Sequence, residues 1–239
     1  MNKKYSNQII IHKQILINSI EPSFNFSKKP INRFITDKTN FEKINTNKVD
    51  QLKDLRKQLD SIQNCNLKDN SNRLILGDGN INSPIMIIGE SPGPEEEKSD
   101  KTFQGESGEL IEKMLMAINI QKNKVYSSYA INFKTPENRK PTSQEIKRYS
   151  FFLKEHISII DPKIVILFGS TAMESIIPSK KRVSNERGKW REIILKNKTY
   201  LLICTFSPSY LIRFPENKKF SWEDLKKIKQ KILDLKIKI

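Results

Sequence analysis

The sequence predicts an α/β protein in which helices cover both faces of a mostly parallel sheet. Two short, wholly apolar runs, Ile85 to Ile88 and Ile164 to Phe168, are typical of strands buried on both faces. Each run is followed by a segment with apolar residues at helical spacing. Strands that alternate with helices along the chain indicate a three-layer α/β/α sandwich.

The length fits one domain with an appendage. A chain of 239 residues exceeds a typical domain of roughly 150–200 residues. Residues 21–48 are rich in Pro, Asn, Lys and Thr and show no sustained period, which is typical of a loose linker. We therefore expect residues 1–48 to be an accessory N-terminal segment and linker, partly disordered, and residues 49–239 to form the main domain.

The main domain begins with an amphipathic helix from Val49 to Ile62, in which Leu52, Leu55 and Leu59 recur at spacings of three and four. Other elements follow from apolar periodicity, turn residues and caps. They are a possible strand at 73–76 with a turn at 77–80, helices around 110–118, 143–160, 170–177 and 221–237, strands at 125–131 and 201–206, and a charged connection at 178–191.

The charge suggests a polyanionic partner. Lys and Arg number 43 against 27 Asp and Glu, which gives a net charge of +16 and favours nucleic acid. The alternative is that the excess of Lys reflects composition rather than a binding face. The first twenty residues lack the apolar run of a signal peptide or membrane span, so we expect no membrane partner. We also expect the protein to be cytoplasmic and to act as a monomer.

The carboxyl end of the first apolar strand carries the first candidate for chemistry. There the chain reads Gly89-Glu90-Ser91-Pro92-Gly93, and ligands of open α/β sheets bind beyond the carboxyl ends of the strands. Glu90 is a candidate catalytic carboxylate, although a βα turn whose Glu faces water would read the same. Two more loops follow later strands, Pro136 to Arg139 and Ser207 to Arg213.

Together these loops resemble those of the uracil-DNA glycosylase superfamily, most closely its family 4 and related bacterial forms. That family carries a G-E-[AG]-P-G loop with a downstream F-x-G-x-x-G, a P-P-G-N-R loop, an R-G-[RK]-W segment and an H-P-[AS]-Y-L-L-R loop. Their counterparts here run from Gly89 to Gly108, Pro136 to Arg139, Arg187 to Trp190 and Ser207 to Arg213. The combination is specific although each motif alone is weak. The resemblance implies a central four-stranded, mostly parallel sheet.

The resemblance also implies roles, because the bond between base and sugar is reached only when the nucleotide is flipped out of the duplex. Glu90 would orient the attacking water or stabilise the cationic sugar, Phe103 would stack on the base, and Leu211 would fill the vacated space. Gly89 and Ser91 would contact the flipped nucleobase. Phosphates would be held by the polar and basic residues of the later loops, Asn138, Arg139, Ser209 and Arg213.

Two departures from the family bear on activity. The His that begins the last loop and stabilises the departing uracil is replaced by Ser207, and a lost donor of this kind costs about a hundredfold to a thousandfold in rate. The Asn that reads uracil is replaced by Tyr129, which has a hydroxyl in place of an amide. His156 matches no motif and is expected at the surface of its helix.

A third departure concerns the cofactor. Many family 4 members hold an iron-sulfur cluster with four cysteines, and clusters of this kind require thiolates. Here Cys65 occupies the first of these positions, whereas the other three fall on Lys68, Phe133 and Tyr149. We therefore expect no cluster and no other cofactor, with Phe133 and Tyr149 filling the space by packing.

The sequence thus favours a monofunctional DNA glycosylase that hydrolyses the N-glycosidic bond of uracil or a related deaminated base in DNA. Water, rather than a lysine Schiff base, would displace the base and leave an abasic site. Because Tyr129 and Ser207 replace the family's residues, the alternative is a catalytically impaired member that binds DNA or damaged bases without excision.

Overall fold

The computed structural model describes residues 48–177 and 181–238. The accessory segment predicted for residues 1–48 lies, apart from Lys48, outside the described residues. Within those ranges, none of the helices is long and apolar enough to cross a membrane.

A six-stranded sheet of order β1-β3-β2-β4-β6-β5 forms the centre of the fold. Its central strands β3, β2, β4 and β6 are parallel, and the edge strands β1 and β5 are antiparallel to their neighbours. The strands are β1 (Gly77–Gly79), β2 (Ile85–Gly89), β3 (Tyr126–Tyr129), β4 (Ile164–Phe168), β5 (Trp190–Leu195) and β6 (Lys198–Thr205).

The predicted α/β class with a mostly parallel sheet is confirmed, but the sheet has two strands more than the four expected. The Gly77-Asp78-Gly79 run, expected to be a turn, forms β1, and β5 begins inside the predicted charged connection. Both were missed because an edge strand needs no continuous apolar run: β5 alternates between half-buried and exposed residues.

Helices lie in two groups around the sheet. The helices are α1 (Lys48–Asp60), α2 (Asn66–Asp69), α3 (Pro94–Ser99), α4 (Gly105–Met116), α5 (Ser143–Ile160), α6 (Ser170–Ile176), α7 (Val183–Glu186), α8 (Pro208–Arg213) and α9 (Lys218–Asp234). Helix α5 packs against α1 and α6, whereas α4 packs against α8 and α9. The predicted span of α5 is confirmed; Thr142 caps it by accepting from the Glu145 amide.

Two side chains lie elsewhere than expected. The spacing of Trp222 with Leu225 and Ile228 predicts that it lies on the inner face of the last helix, but its side chain is 44% exposed. His156, expected at the surface, is buried on the inner side of α5, where its Nε2 lies 2.9 Å from the Tyr126 hydroxyl. Polar residues on a helix are usually assigned to its outer face, but a buried partner on the sheet satisfies the ring of His156.

Burial lowers the pKa of His156 to about 3, from an ordinary value of 6.5. The unfolded chain therefore binds more protons than the native chain between these pH values, and the free energy of unfolding should fall as the pH falls from 6.5 towards 3. We expect this residue alone to reduce stability by about 2 kcal/mol between pH 7.5 and pH 5. Denaturant unfolding of the unsubstituted chain and His156→Gln at both pH values should show a smaller loss for the variant. Equal losses would contradict a neutral, buried imidazole.

Candidate active site

Two adjoining cavities open at the carboxyl edge of the parallel strands. The smaller, of about 330 Å³, and the larger, of about 900 Å³, share Glu90, Ser91, Asn138, Ser207 and Ser209 as lining residues. The other predicted site residues line one cavity or the other, with one exception described below. They are Gly89, Phe103 and Tyr129 in the smaller cavity and Arg139 and Arg213 in the larger.

Glu90 follows β2 and is held by the first turn of α6. Its Oε1 accepts hydrogen bonds from the Thr171 amide at 3.0 Å and from the Ser170 hydroxyl at 3.2 Å. Backbone N–H groups at the start of a helix favour a carboxylate. Gly169 permits the contact, since a Cβ at this position would lie 2.5 Å from the Glu90 carboxyl carbon, and its φ of +93° suits glycine. The carboxylate is thus fixed at the cavity wall.

The smaller cavity has an aromatic wall. The Phe103 ring lies 5.0 Å from the Tyr129 ring and 6.4 Å from the Phe168 ring, measured between centroids. Parallel pairing places Gly89 directly beside Tyr129, and a Cβ on Gly89 would come within 2.8 Å of both the Tyr129 and Phe103 rings. The first glycine of the motif therefore leaves room for the wall behind the proposed base site.

The hydroxyl of Tyr129 is engaged within the protein. It accepts a hydrogen bond from the Phe103 amide at 2.8 Å and donates to Oε1 of Glu96 at 3.2 Å. Burial, together with the Glu96 charge, raises the pKa of Tyr129 well above its ordinary value, so the hydroxyl keeps its proton. Tyr129 therefore presents its ring to the cavity and does not replace the amide of the family's Asn as a reader of base edges.

Glu96 links several residues of the motif loop through hydrogen bonds to its carboxylate. Its carboxylate accepts from the Gly93 amide and the Gln104 amide, each at 2.9 Å, in addition to Tyr129. Hydrogen bonds to a charged group contribute about 1.5–3 kcal/mol each, so the loop between β2 and α4 is a braced unit. Phe103 itself has a φ of +50°, a conformation that needs such support in a residue other than glycine.

Glycines and an edge strand complete the support of Phe103. A Cβ on Gly108 would lie 1.9 Å from the Phe103 carbonyl oxygen, which accounts for the last glycine of F-x-G-x-x-G. Asp78 on β1 accepts from the Thr102 amide at 2.9 Å and from the Thr102 hydroxyl at 2.7 Å. The run at 77–80, to which the sequence assigned no chemistry, therefore anchors the residue next to the stacking aromatic.

Ser207 lies where β6 leads into α8, and its hydroxyl is 3.2 Å from that of Ser209. The side chain lines both cavities although it is only 7% exposed. A hydroxyl at this position has one proton to donate, to Ser209 or to a ligand. A serine hydroxyl reaches less far than the ring of the family's His, so this geometry is consistent with the predicted loss of a hydrogen-bond donor to the departing base.

Arg139 is paired within the protein. Its guanidinium donates to both carboxylate oxygens of Glu145, at 2.9 Å and 2.6 Å. These hydrogen bonds lower the pKa of Glu145 to about 2. Contact between Arg139 and a phosphate stays a prediction. In such a contact the phosphate would share the Arg139 guanidinium with the Glu145 carboxylate. Arg213 is exposed at the rim of the larger cavity.

Leu211 is the predicted site residue that lines neither cavity. Its side chain is 1% exposed and belongs to the main hydrophobic core, on the inner face of α8. Withdrawing a buried leucine costs roughly 1.5–3 kcal/mol, which contacts with DNA would have to offset, and insertion of Leu211 into the duplex stays a prediction. Its neighbour Tyr210 is 37% exposed and lines the larger cavity.

The Arg187 to Trp190 segment acts in packing. Arg187 donates to both carboxylate oxygens of Asp224 on α9, at 3.0 Å and 2.7 Å. Gly188 has a φ of +68°, and a Cβ there would lie 2.3 Å from Asp224 Oδ1. The segment therefore fastens α9 to the end of β6, since the Gly188 amide donates to the Cys204 carbonyl at 2.9 Å.

Three of the four positions that correspond to cluster ligands, those of Cys65, Phe133 and Tyr149, form part of a second hydrophobic core. Cys65 Sγ lies 3.2 Å from the Tyr149 hydroxyl, and the Phe133 and Tyr149 rings meet edge to face at 6.2 Å. Lys68 turns away and donates to the Asp60 and Ile62 carbonyls. One thiol among these four residues does not fit an iron-sulfur cluster. In the described part of the chain, no group of three His, Cys, Asp or Glu side chains could hold a metal ion.

Sequence reasoning missed the residues that hold the site in shape. Phe168 could have been found, because it ends an apolar strand at the same sheet edge as Glu90. Glu96, Ser170 and Thr171 carried no such signal: an acidic run in a polar loop usually faces water, and only the fold brings α6 to Glu90.

The bracing role of Tyr129 can be tested by Tyr129→Phe. Removing the hydroxyl leaves the buried Phe103 amide without its acceptor, so we expect a loss of about 1–3 kcal/mol in the free energy of unfolding. Tyr200→Phe, which removes a buried tyrosine's hydroxyl bonded to Asp161, is the matched control. Amide hydrogen exchange should be faster at Phe103 and Gln104 in Tyr129→Phe only. Unchanged exchange there would show that Tyr129 does not brace the loop.

Comparison with known proteins assigns the chain to a family. Residues 76–228 match the model of the uracil DNA glycosylase superfamily. A type-4 uracil-DNA glycosylase of Thermotoga maritima is 33% identical over 168 residues, which cover 69% of this chain and 86% of that protein. Type-4 enzymes of Sulfurisphaera tokodaii and Archaeoglobus fulgidus are 28% and 26% identical over 76% and 75% of this chain, and 85% and 92% of their own length. The chain belongs to the uracil DNA glycosylase superfamily.

Proposed function

We propose that the protein is a monofunctional DNA glycosylase that releases uracil, or a related deaminated base, from DNA. Water adds to C1′ of the sugar, the N-glycosidic bond breaks, and its electron pair leaves with the base. The base then takes up a proton, and an abasic site remains. The names of the relatives, all type-4 uracil-DNA glycosylases in the three comparisons above, favour this activity over an impaired DNA-binding member.

The fixed carboxylate of Glu90 is the observation that carries this proposal. Oε1 is occupied by the first turn of α6, so Oε2 is the oxygen left to face the cavity. A carboxylate in this place can orient the attacking water and stabilise the positive charge that develops on the sugar.

The aromatic wall supports binding of a flipped base. Phe103 and Phe168 offer apolar ring surface, and Ser207 and Asn138 contribute polar groups to the lining of the same cavity. Stacking holds a planar base, whereas hydrogen bonds select it. Since the Tyr129 hydroxyl is engaged, we propose that selection of the base rests on Ser207 and backbone groups, without an amide beside β3.

The remaining site roles extend to the DNA backbone. We propose that Asn138, Ser209 and Arg213 at the cavity rims contact phosphates, together with Arg139 in its pairing with Glu145. Such contacts position DNA without reading its sequence. We also propose that the protein acts as a monomer without an iron-sulfur cluster or other cofactor, the second hydrophobic core taking the place of the cluster.

Base release from defined oligonucleotides tests the function. The purified protein should produce alkali-labile sites in DNA that carries uracil in a single strand or opposite G or A. Glu90→Gln should reduce the single-turnover rate by about a hundredfold or more, because the charge near the sugar is lost. Glu192→Gln on the exposed face of β5 is the matched control. Absence of base release from uracil, hypoxanthine and xanthine alike would refute the enzyme.

The cost of Ser207 gives a second prediction. Ser207→His should raise the rate of uracil release, up to the hundredfold to thousandfold effect of one donor aimed at a developing oxyanion. Ser207→Ala should lower it. If Ser207→His folds normally and the rate does not rise, the position does not contact the departing base.

A further inference from the structure

We propose that an aromatic strip beside the candidate active site, made of Phe206, Tyr210 and Phe214, binds the bases of single-stranded DNA by stacking. The inference rests on the proposed function for the nature of the partner. It assigns a task to a surface that the base pocket and Glu90 leave unexplained.

The three rings form one continuous ladder. The Phe206 and Tyr210 rings are stacked at 4.8 Å with an angle of 28° between their planes, and the Tyr210 and Phe214 rings are 5.0 Å apart. Of the three residues, Tyr210 lies within α8, Phe214 is the residue at its C-terminal end, and Phe206 precedes its first turn. A ladder of this kind is stiff, because each ring supports the next.

The outer part of the strip faces solvent. Phe206 is 8% exposed and forms the inner end of the ladder, whereas Tyr210 is 37% and Phe214 is 40% exposed. Phe220, 41% exposed, lies near the inner end of the strip, since the Arg187 guanidinium is 5.6 Å from the Phe206 ring centroid and 5.3 Å from the Phe220 ring centroid. Exposed apolar patches of adjoining aromatic residues mark binding surfaces more often than single exposed rings do.

Charge identifies the occupant. The exposed cations Arg213, Lys218 and Lys219 lie in the same short segment as the strip, with Glu216 as the opposing charge between residues 206 and 220. Aromatic rings for bases together with cations for phosphates are the combination with which proteins hold single strands. Phe206, Tyr210 and Arg213 also line the larger cavity with Glu90, so a strand on the strip continues into the candidate active site.

The single strand is favoured over the duplex on geometric grounds. A ring stacks on the face of a base, and the faces are covered by neighbouring bases in a duplex, which offers only edges and phosphates to a protein. Paired DNA would offer no base face to the exposed parts of Tyr210 and Phe214.

Anisotropy of a labelled, uracil-free single-stranded oligonucleotide tests the strip. Tyr210→Ala and Phe214→Ala should each weaken binding at least about fivefold, while Tyr210→Phe retains affinity, because every base offers a face to any aromatic ring. The dependence of log K on log salt should keep its slope in these variants and become shallower in Arg213→Gln, which removes a phosphate contact. Phe151→Ala removes a ring on α5 that is 66% exposed and serves as control.

Two results would overturn the inference. One is binding of the single strand by folded Tyr210→Ala and Phe214→Ala with the affinity of the unsubstituted chain. The other is a loss of equal size for a fully paired duplex of the same sequence. The oligonucleotide contains no uracil, so this binding test does not depend on base release. If the chain releases no base but binds single strands through Tyr210, the proposed glycosylase activity is refuted and the proposal for the aromatic strip stands.

Discussion

The parallel pairing of β2 with β3 and β4 is the constraint on which the candidate active site depends. It places Gly89 beside Tyr129 and carries Glu90 just past the sheet edge, within reach of the first turn of α6. Because all three strands end together, residues far apart in sequence converge at one opening. A shift of one residue in this pairing would turn Tyr129 to the other face of the sheet and remove the aromatic wall.

Three carboxylates in the segment after β2, those of Glu90, Glu96 and Glu97, are each stabilised by hydrogen-bond donors although the chain as a whole is basic. Glu90 is held by α6, and Glu96 by two amides and Tyr129. Glu97 is largely buried, which opposes its charge, but hydrogen bonds from Ser71 and Lys134 keep its pKa below the ordinary value. Buried charges persist only with such partners. Two of the three carboxylates therefore serve the shape of the loop, and Glu90 is the one for which we propose a chemical role.

The second hydrophobic core explains how this fold manages without four cluster thiolates. A metal cluster crosslinks distant segments, and here the same segments meet through the side chains of Cys65, Phe133 and Tyr149. Apolar packing requires no particular redox state and no metal supply, but it depends on shape and on the burial of large rings. The connection between α2, α5 and the loop after β3 is thereby held by apolar packing together with the hydrogen bond between Cys65 and Tyr149.

The sequence by itself determined the fold class, the apolar strands, the span of α5 and the loops that carry Glu90, Phe103, Ser207 and Arg213. These follow from local patterns, because burial on both faces requires continuous apolar runs and motif loops keep their order along the chain. Only the tertiary structure decided which polar groups are occupied and which rings are exposed. The engaged hydroxyl of Tyr129, the buried Leu211 and His156, and the exposed Tyr210 all depend on partners distant in sequence, and the choice between the two faces of a helix is made by packing.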